Sequence, residues 1–209
     1  MNNDLDQAVR KTRQYWFSDG IVEISVGGLF LFLGVYFYLQ FALKAGSLLL
    51  VALQLGFVLL LVGGIYLSRF LVDKLKSRLT IPRTGYVSYK PASRKQRLVS
   101  IGIVCLIAAI NAALFLTTPL SLNWVPAITG LIVGSLWLIS AFRVGLLRFY
   151  LQSILAYLLG VILSTSNLEI YLSLALFYGI LGFVLVFSGG WTLAAYLRHH
   201  PPLEEQHQA

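Results

Sequence analysis

The chain has 209 residues, of which 58% are hydrophobic and only 11% are charged, and its formal net charge is +8. A water-soluble globule of this size needs far more polar surface, so the composition excludes a soluble domain and predicts an integral membrane protein. The basic residues lie in loops and helix ends beside apolar runs. Anionic inner-leaflet lipid is therefore a nearer partner than nucleic acid, which we do not expect the chain to bind.

Six apolar runs follow one another along the chain, each close to the roughly 20 residues that a membrane-spanning helix requires. They cover approximately residues 21–43, 48–72, 98–118, 124–142, 149–165 and 171–197. We therefore predict an all-α integral membrane protein with six transmembrane helices arranged as three hairpins. If all six runs span the membrane, fifteen of the sixteen Lys and Arg residues fall on one side, and only Lys44 falls on the other. Because basic residues are retained in the cytoplasm, both termini are predicted to be cytoplasmic, in a cell membrane of the bacterial inner-membrane type.

The predicted organisation of the chain follows from these runs. It comprises an amphipathic N-terminal segment (1–20), a first helical hairpin (21–72), a basic cytoplasmic loop (73–97), a second hairpin (98–142), a third hairpin (143–197) and a polar C-terminal tail (198–209). In the N-terminal segment, Leu5, Val9, Thr12 and Trp16 recur at helical spacing, which predicts a short helix in the inner membrane interface. The segment lacks the features of a cleavable signal peptide, so we expect the N-terminus to be retained.

The loop between the second and third runs is strongly basic. The residues predicted to contact anionic lipid or a protein partner are Lys74, Lys76, Arg78, Lys90, Arg94, Lys95 and Arg97. Anionic inner-leaflet lipid attracts such juxtamembrane basic clusters. Between the two basic flanks, residues 79–91 contain two prolines, β-favouring residues and a Thr84-Gly85 turn, which predict an extended segment or a small hairpin and not a helix.

An internal repeat relates the two ends of the chain. A shift of 126 residues lays 47–67 over 173–193 without a gap, and eleven of the twenty-one positions are identical, including the pairs Gly63-Gly64 and Gly189-Gly190. The first and third hairpins are therefore predicted to be copies of each other. Because an even number of runs separates them, the copies would run in the same direction through the membrane, as in parallel-repeat transporters.

Glu23 is an acidic residue inside the first apolar run, about one turn beyond Asp19. Ionisable groups within membranes are costly and are therefore functional candidates. Glu23 lies near the inner surface, however, where its carboxylate can instead pair with Arg143, Arg148 or the basic loop. Structural pairing, a role in transport or catalysis, and an exposed position without a particular role remain the alternatives.

Arg83 lies in the basic loop between Pro82 and the Thr84-Gly85 turn. A guanidinium held there can bind a phosphate or a carboxylate through two parallel hydrogen bonds, with Tyr86 as an aromatic wall. The alternative is a rigid turn that packs under the helices or lies on lipid headgroups.

The stretch Asp19-Gly20-x-x-Glu23, combined with the loop sequence Pro82-Arg83-Thr84-Gly85-Tyr86, resembles uncharacterised bacterial multi-pass membrane proteins that pair these two features. The resemblance covers about the first ninety residues and implies no activity. It groups Asp19, Glu23, Arg83 and Tyr86 as a candidate functional cluster on the cytoplasmic side. We hypothesise that the loop folds back onto the start of the first span through a contact between an acid and Arg83.

Three functions remain open. The first is a non-enzymatic membrane module, such as a subunit, sensor or scaffold, whose basic cytoplasmic face binds anionic lipid or a protein partner. The second is a small-solute permease or channel, suggested by the parallel repeat and its paired glycines. The third is an intramembrane enzyme that acts on lipid or phosphate substrates. The sequence contains no serine-hydrolase, zinc-protease or phosphate-loop motif, so it favours the first function, and we expect no catalytic residue, metal site or cofactor.

Overall fold

The computed structural model of the protein describes residues 17–43, 47–80 and 122–199. Every secondary-structure element in these residues is helical. The α-helices are α1 (Ile21–Ala42), α2 (Leu48–Leu75), α3 (Val125–Val144), α4 (Leu147–Thr165) and α5 (Ile170–His199). A π-helical turn (Lys76–Thr80) continues α2, and a 3-10 turn (Leu122–Trp124) precedes α3.

Four of the described segments are long and apolar enough to cross a membrane, namely Ile21–Ala42, Leu122–Val144, Leu147–Thr165 and Ile170–His199. The second helix makes a fifth if its halves, Leu48–Phe57 and Val62–Arg78, which meet at a bend of 59°, count as one span. The predicted all-helical architecture with several apolar spans is confirmed at this level. The predicted third run (98–118), the N-terminal interfacial helix, most of the basic loop and the tail beyond His199 lie outside the described residues.

Local sequence explains where the first helix begins. The side chain of Asp19 accepts a hydrogen bond from the Ile21 N–H at 3.2 Å, which satisfies one of the free backbone donors at the start of α1. Gly20, between them, has a φ of 71°, a left-handed conformation that glycine adopts without a steric penalty. The Asp-Gly pair therefore sets the entry into α1.

The second helix extends further than the sequence predicted. Its start is capped by Ser47, whose Oγ accepts from the Leu50 N–H at 3.3 Å. At the other end, the helix passes the predicted limit at residue 72 and continues as a π-helical turn. Leu79 and Thr80, predicted to be extended, are therefore helical, because β propensity is weak and yields to the helical segment that precedes them.

The chain forms two compact units. The first contains α1, α2 and the part of α5 from Leu174 onwards, and the second, residues 88–173, contains α3 and α4. The two helices predicted to form the third hairpin, α4 and α5, thus belong largely to different units.

In the second unit, α3 and α4 approach closely at two glycines. A methyl group built on Gly130 would lie 2.8 Å from the Cα of Gly160, so neither position has room for a side chain. One turn further along α3, the backbone oxygen of Gly134 accepts a hydrogen bond from Ser153 Oγ of α4 at 2.7 Å. Small residues thus bring the two backbones together, as is common between helices in membranes.

In the first unit, α1 and α5 run antiparallel along a seam of small residues. The seam has three steps: Gly20 with Gly189, Gly27 with Gly182, and Gly34 with Gly179 and Ala175. The three glycines on the α1 side are seven residues apart, as are Gly189, Gly182 and Ala175 on α5. A spacing of seven residues is close to two helical turns, so the contacts stay on one face of each helix. A methyl group on Gly27 would lie 2.8 Å from the backbone nitrogen of Val186. The seam therefore fixes the register of α1 on α5.

Candidate functional site

A cluster of buried charged residues lies in the first unit, where the start of α1 meets the end of α2 and the last third of α5. Asp19 lies two residues before α1, and Glu23 lies in the first turn of the helix. Lys76 follows the last residue of α2, and Ser188 precedes the seam residue Gly189 on α5. We call Asp19, Glu23, Lys76 and Ser188 the inner cluster.

The centre of the inner cluster is an ion pair between Lys76 and Asp19. Lys76 Nζ lies 3.1 Å from Asp19 Oδ2. The other carboxylate oxygen of Asp19 accepts the Ile21 N–H, so this side chain both caps α1 and binds the end of α2. An anion at a helix N-terminus and a cation at a helix C-terminus also match the two helix dipoles, and the pair is therefore favoured from both sides.

Burial makes this ion pair structurally important. Only 1% of Asp19 and 4% of Lys76 is exposed. Removing charges from water costs several kcal/mol per ion, and a buried pair is tolerated only when each charge has its partner in good geometry. The two residues are consequently interdependent.

Glu23 is also buried, with 1% of its surface exposed. Its Oε2 accepts a hydrogen bond from Ser188 Oγ at 3.3 Å. This contact joins α1 to α5 beside the first step of the glycine seam, where the backbones are close enough for a short serine side chain to reach the carboxylate. Glu23 therefore takes part in helix packing.

The structure brings together some of the residues that the sequence analysis selected. Asp19 and Glu23 lie in one cluster, whereas Arg83 and Tyr86 lie outside the described residues, so a contact between Arg83 and these acids stays a prediction. Of the predicted lipid-contact or partner-contact residues, Lys90, Arg94, Lys95 and Arg97 also lie outside them.

Lys76 differs from its predicted place on the exposed basic face. It is buried against Asp19, while its neighbours Lys74 and Arg78 are exposed. Sequence reasoning also missed Ser188, which is 165 residues from Glu23. Nothing in the sequence near Lys76 or Ser188 indicates these contacts, because they depend on which way the ends of α2 and α5 face.

A cleft of about 620 Å³ separates α1 from α2 along part of their length. Its walls are apolar apart from two serines, Ser25 and Ser68, whose hydroxyl oxygens lie 2.8 Å apart. The residues that line it are Ile24, Ser25, Gly28, Leu29, Phe32, Leu59, Gly63, Gly64, Leu67, Ser68, Leu71 and Leu75. None of the four residues of the inner cluster is among the described residues that line this cleft.

No group of three or more His, Cys, Asp or Glu side chains that could hold a metal ion occurs in the part of the chain that the structure describes. Nor does any protein-family model, curated protein or solved structure match the chain. Function is therefore inferred from the residues and their geometry alone.

Proposed function

We propose that the chain is a non-enzymatic multi-pass membrane module, a subunit, sensor or scaffold whose basic cytoplasmic face binds anionic lipid. The observation that carries the proposal is the closed ion pair between Asp19 and Lys76. A charge committed to a partner at 3.1 Å and almost fully buried is arranged for holding helices and not for receiving a substrate. Glu23, bonded to Ser188, is enclosed in the same way.

The proposal includes six spans with both termini cytoplasmic, as in a bacterial inner membrane. In the first unit, the start of α1 contacts the end of α2 through the Asp19–Lys76 pair and the last third of α5 through the Gly20–Gly189 contact. The basic loop leaves from the end of α2, and the tail from the end of α5. This common end supports one basic face, and the positive-inside rule assigns it to the cytoplasm.

The proposal also keeps the internal repeat and the resemblance to bacterial multi-pass proteins. The aligned glycines of α2 and α5 support a duplication, since both helices use them beside α1. Gly64 of α2 faces Leu29, and Gly189 of α5 faces Gly20 and Ile24.

The test is capture of anionic vesicles by the full-length protein held in nanodiscs of zwitterionic lipid. Each basic residue near an anionic surface contributes about 1 kcal/mol, so replacing Lys90, Arg94, Lys95 and Arg97 together by Gln should weaken capture by roughly a hundredfold or more. High salt should weaken it as well. Lys44→Gln, which neutralises the basic residue predicted to face outward, is the matched control and should change nothing.

Capture that ignores both salt and the four-residue change would remove the basic face from the proposal. A partner protein bound by the same face would instead show salt-dependent capture of that protein with no preference among vesicles. Turnover of a lipid or phosphate substrate that Glu23→Gln abolishes would replace the module by an enzyme.

A permease or channel is the second candidate, and the bend of 59° in α2 favours it. Broken helices line substrate paths in many transporters because they free backbone groups at membrane depth. Flux of a labelled panel of small solutes into proteoliposomes tests this candidate. Transport of any class above that of empty vesicles would support it, and no flux for every class would exclude it.

A further inference from the structure

The cleft between α1 and α2 is formed by glycines that face open space. Among the described residues, a methyl group built on Gly28 or on Gly63 would meet no atom within 4 Å. At Gly64 the two helices touch, since a methyl group there would lie 2.6 Å from Leu29 Cδ1. The helices therefore meet at Gly64 and separate around Gly28 and Gly63, which leaves the cleft.

The cleft suits an apolar occupant. Its volume of about 620 Å³ falls within the roughly 300–1,000 Å³ of typical ligand pockets. Among the described residues that line it, the polar side chains are Ser25 and Ser68. Their hydroxyls bond to each other, and Ser25 Oγ also contacts the Ser68 carbonyl oxygen at 3.0 Å. An empty space of this size would cost its lining residues their dispersion contacts. In a bilayer, a hydrocarbon chain is the nearest group that restores them.

One end of the cleft carries positive charge. Leu71 and Leu75 line that end. Lys74 lies three residues after Leu71, close to the same face of α2, and Arg78 lies in the π-helical turn that follows. Lys74 and Arg78 are exposed.

The Lys74 ammonium lies 5.3 Å from the centre of the Phe70 ring, which is exposed one turn back on α2 and is not among the residues that line the cleft. Asp73, the neighbouring acid, is two positions from Leu71 and from Leu75, so it falls on another face. The charge at the mouth of the cleft is thus basic, above apolar walls.

We propose that this cleft binds one anionic phospholipid of the inner leaflet. Its acyl chain lies beside Gly28 and Gly63, and its phosphate lies against Lys74 and Arg78. The choice of leaflet rests on the proposed function, which places the Leu75 end of α2 at the cytoplasmic surface. An apolar groove that ends in two cations matches both parts of such a lipid, whereas a second copy of this chain would bring its own basic residues to the same place.

The experiment is native mass spectrometry of the full-length protein, delipidated in mild detergent and offered equal amounts of phosphatidylglycerol and phosphatidylcholine. The wild type should retain one phosphatidylglycerol per chain. Gly63→Leu fills the cleft from α2 and should lose most of the retained lipid of either kind. Gly28→Leu fills it from α1 and should do the same, so the proposal remains testable if one variant fails to fold.

Two matched controls lie on the same helix. Gly56 also faces open space but does not line the cleft, so Gly56→Leu should retain the lipid. Lys74→Gln combined with Arg78→Gln should reduce the preference for phosphatidylglycerol by roughly tenfold or more. Arg69→Gln removes an exposed charge that is two positions from Leu71, away from the face of the cleft, and should leave the preference unchanged.

Several outcomes would overturn the proposal. The wild type could retain the two lipids equally, or Gly63→Leu and Gly28→Leu could retain lipid at the wild-type level. The wild type could also be a dimer that Gly63→Leu separates, which would make the cleft a protein interface. Failure of the proposed basic face would give a different result from failure of the lipid site. Vesicle capture would then be unaffected by changing Lys90, Arg94, Lys95 and Arg97, while the cleft lipid would still be bound.

Discussion

Lys76 and Asp19 join the end of α2 to the start of α1 through an ion pair that is almost completely buried, with 3.1 Å between Nζ and Oδ2. The two residues are 57 positions apart in the chain. Each lies at a helix end whose dipole favours its charge. Separating two such buried charges is costly, so the pair restrains the start of α1 against the end of α2.

The first prediction concerns this pair. Lys76→Met should destabilise the protein by about 3–5 kcal/mol, because it leaves the Asp19 carboxylate buried without its cation. Adding Asp19→Asn should recover part of that loss, since the second change removes the stranded charge. The measurement is a double-mutant cycle from unfolding of the purified protein in detergent.

Lys74→Gln is the control for this cycle. Lys74 is exposed two residues away, and its loss should change stability by less than about 1 kcal/mol. Additive effects of the Lys76 and Asp19 changes would contradict the assigned contact.

The misplacement of Lys76 shows what charge patterning can and cannot predict. Counting Lys and Arg by loop assigns each residue to a side of the membrane, and Lys76 lies at the same end of the first unit as the start of α1 and the end of α5. The count does not show which way a side chain points, however. Whether a lysine extends to lipid headgroups or turns inward depends on the helical phase at its position, and α2 enters a π-helical turn at this residue. Because the segment from Leu79 onwards was predicted to be extended, the helical phase at the end of α2 could not be predicted.

The second prediction concerns Ser188. Ser188→Ala removes the hydroxyl that donates to Glu23 and should cost about 1–2 kcal/mol, because a buried carboxylate loses a charge-assisted hydrogen bond. Ser140→Ala is the matched change. Its hydroxyl donates to the Leu136 oxygen of its own helix in an exposed position, so stability should change by less than about 0.5 kcal/mol. Equal thermal shifts for the two variants would show that the contact with Glu23 contributes nothing.

The third prediction tests the orientation of the protein. In a variant without Cys105, the native thiol, Ala209→Cys should react with an impermeant maleimide only after the inner face of the membrane is opened. Lys44→Cys should react from outside in intact cells, because it lies in the short segment predicted to face outward. Labelling of Ala209→Cys from the exterior would reverse the assignment of the basic face.

The aligned glycine pairs of the repeat show a second limit of sequence reasoning. Gly63-Gly64 and Gly189-Gly190 occupy equivalent positions, yet α1 contacts Gly64 in the first pair and Gly189 in the second. Gly63 and Gly190 have nothing within 4 Å of a built methyl group. Identity at aligned positions predicts that small residues allow close approach, but not which of two adjacent glycines faces the neighbour. A rotation of about 100° around the helix separates the two arrangements.

The fourth prediction uses two adjacent glycines of α1, of which Gly27 contacts α5 and Gly28 does not. Gly27→Ala places a methyl group 2.8 Å from the Val186 nitrogen and 2.9 Å from the Gly182 oxygen, and these are backbone atoms that cannot move aside. The helices must separate, so we expect a loss of about 1–3 kcal/mol. Gly28→Ala meets nothing within 4 Å and replaces a flexible residue in a helix interior, so stability should rise by up to about 1 kcal/mol. Thermal unfolding of the two purified variants beside the wild type checks the difference. If both changes shifted the midpoint in the same direction, the antiparallel seam between α1 and α5 would be in a different register, because only that seam gives two neighbouring glycines opposite surroundings.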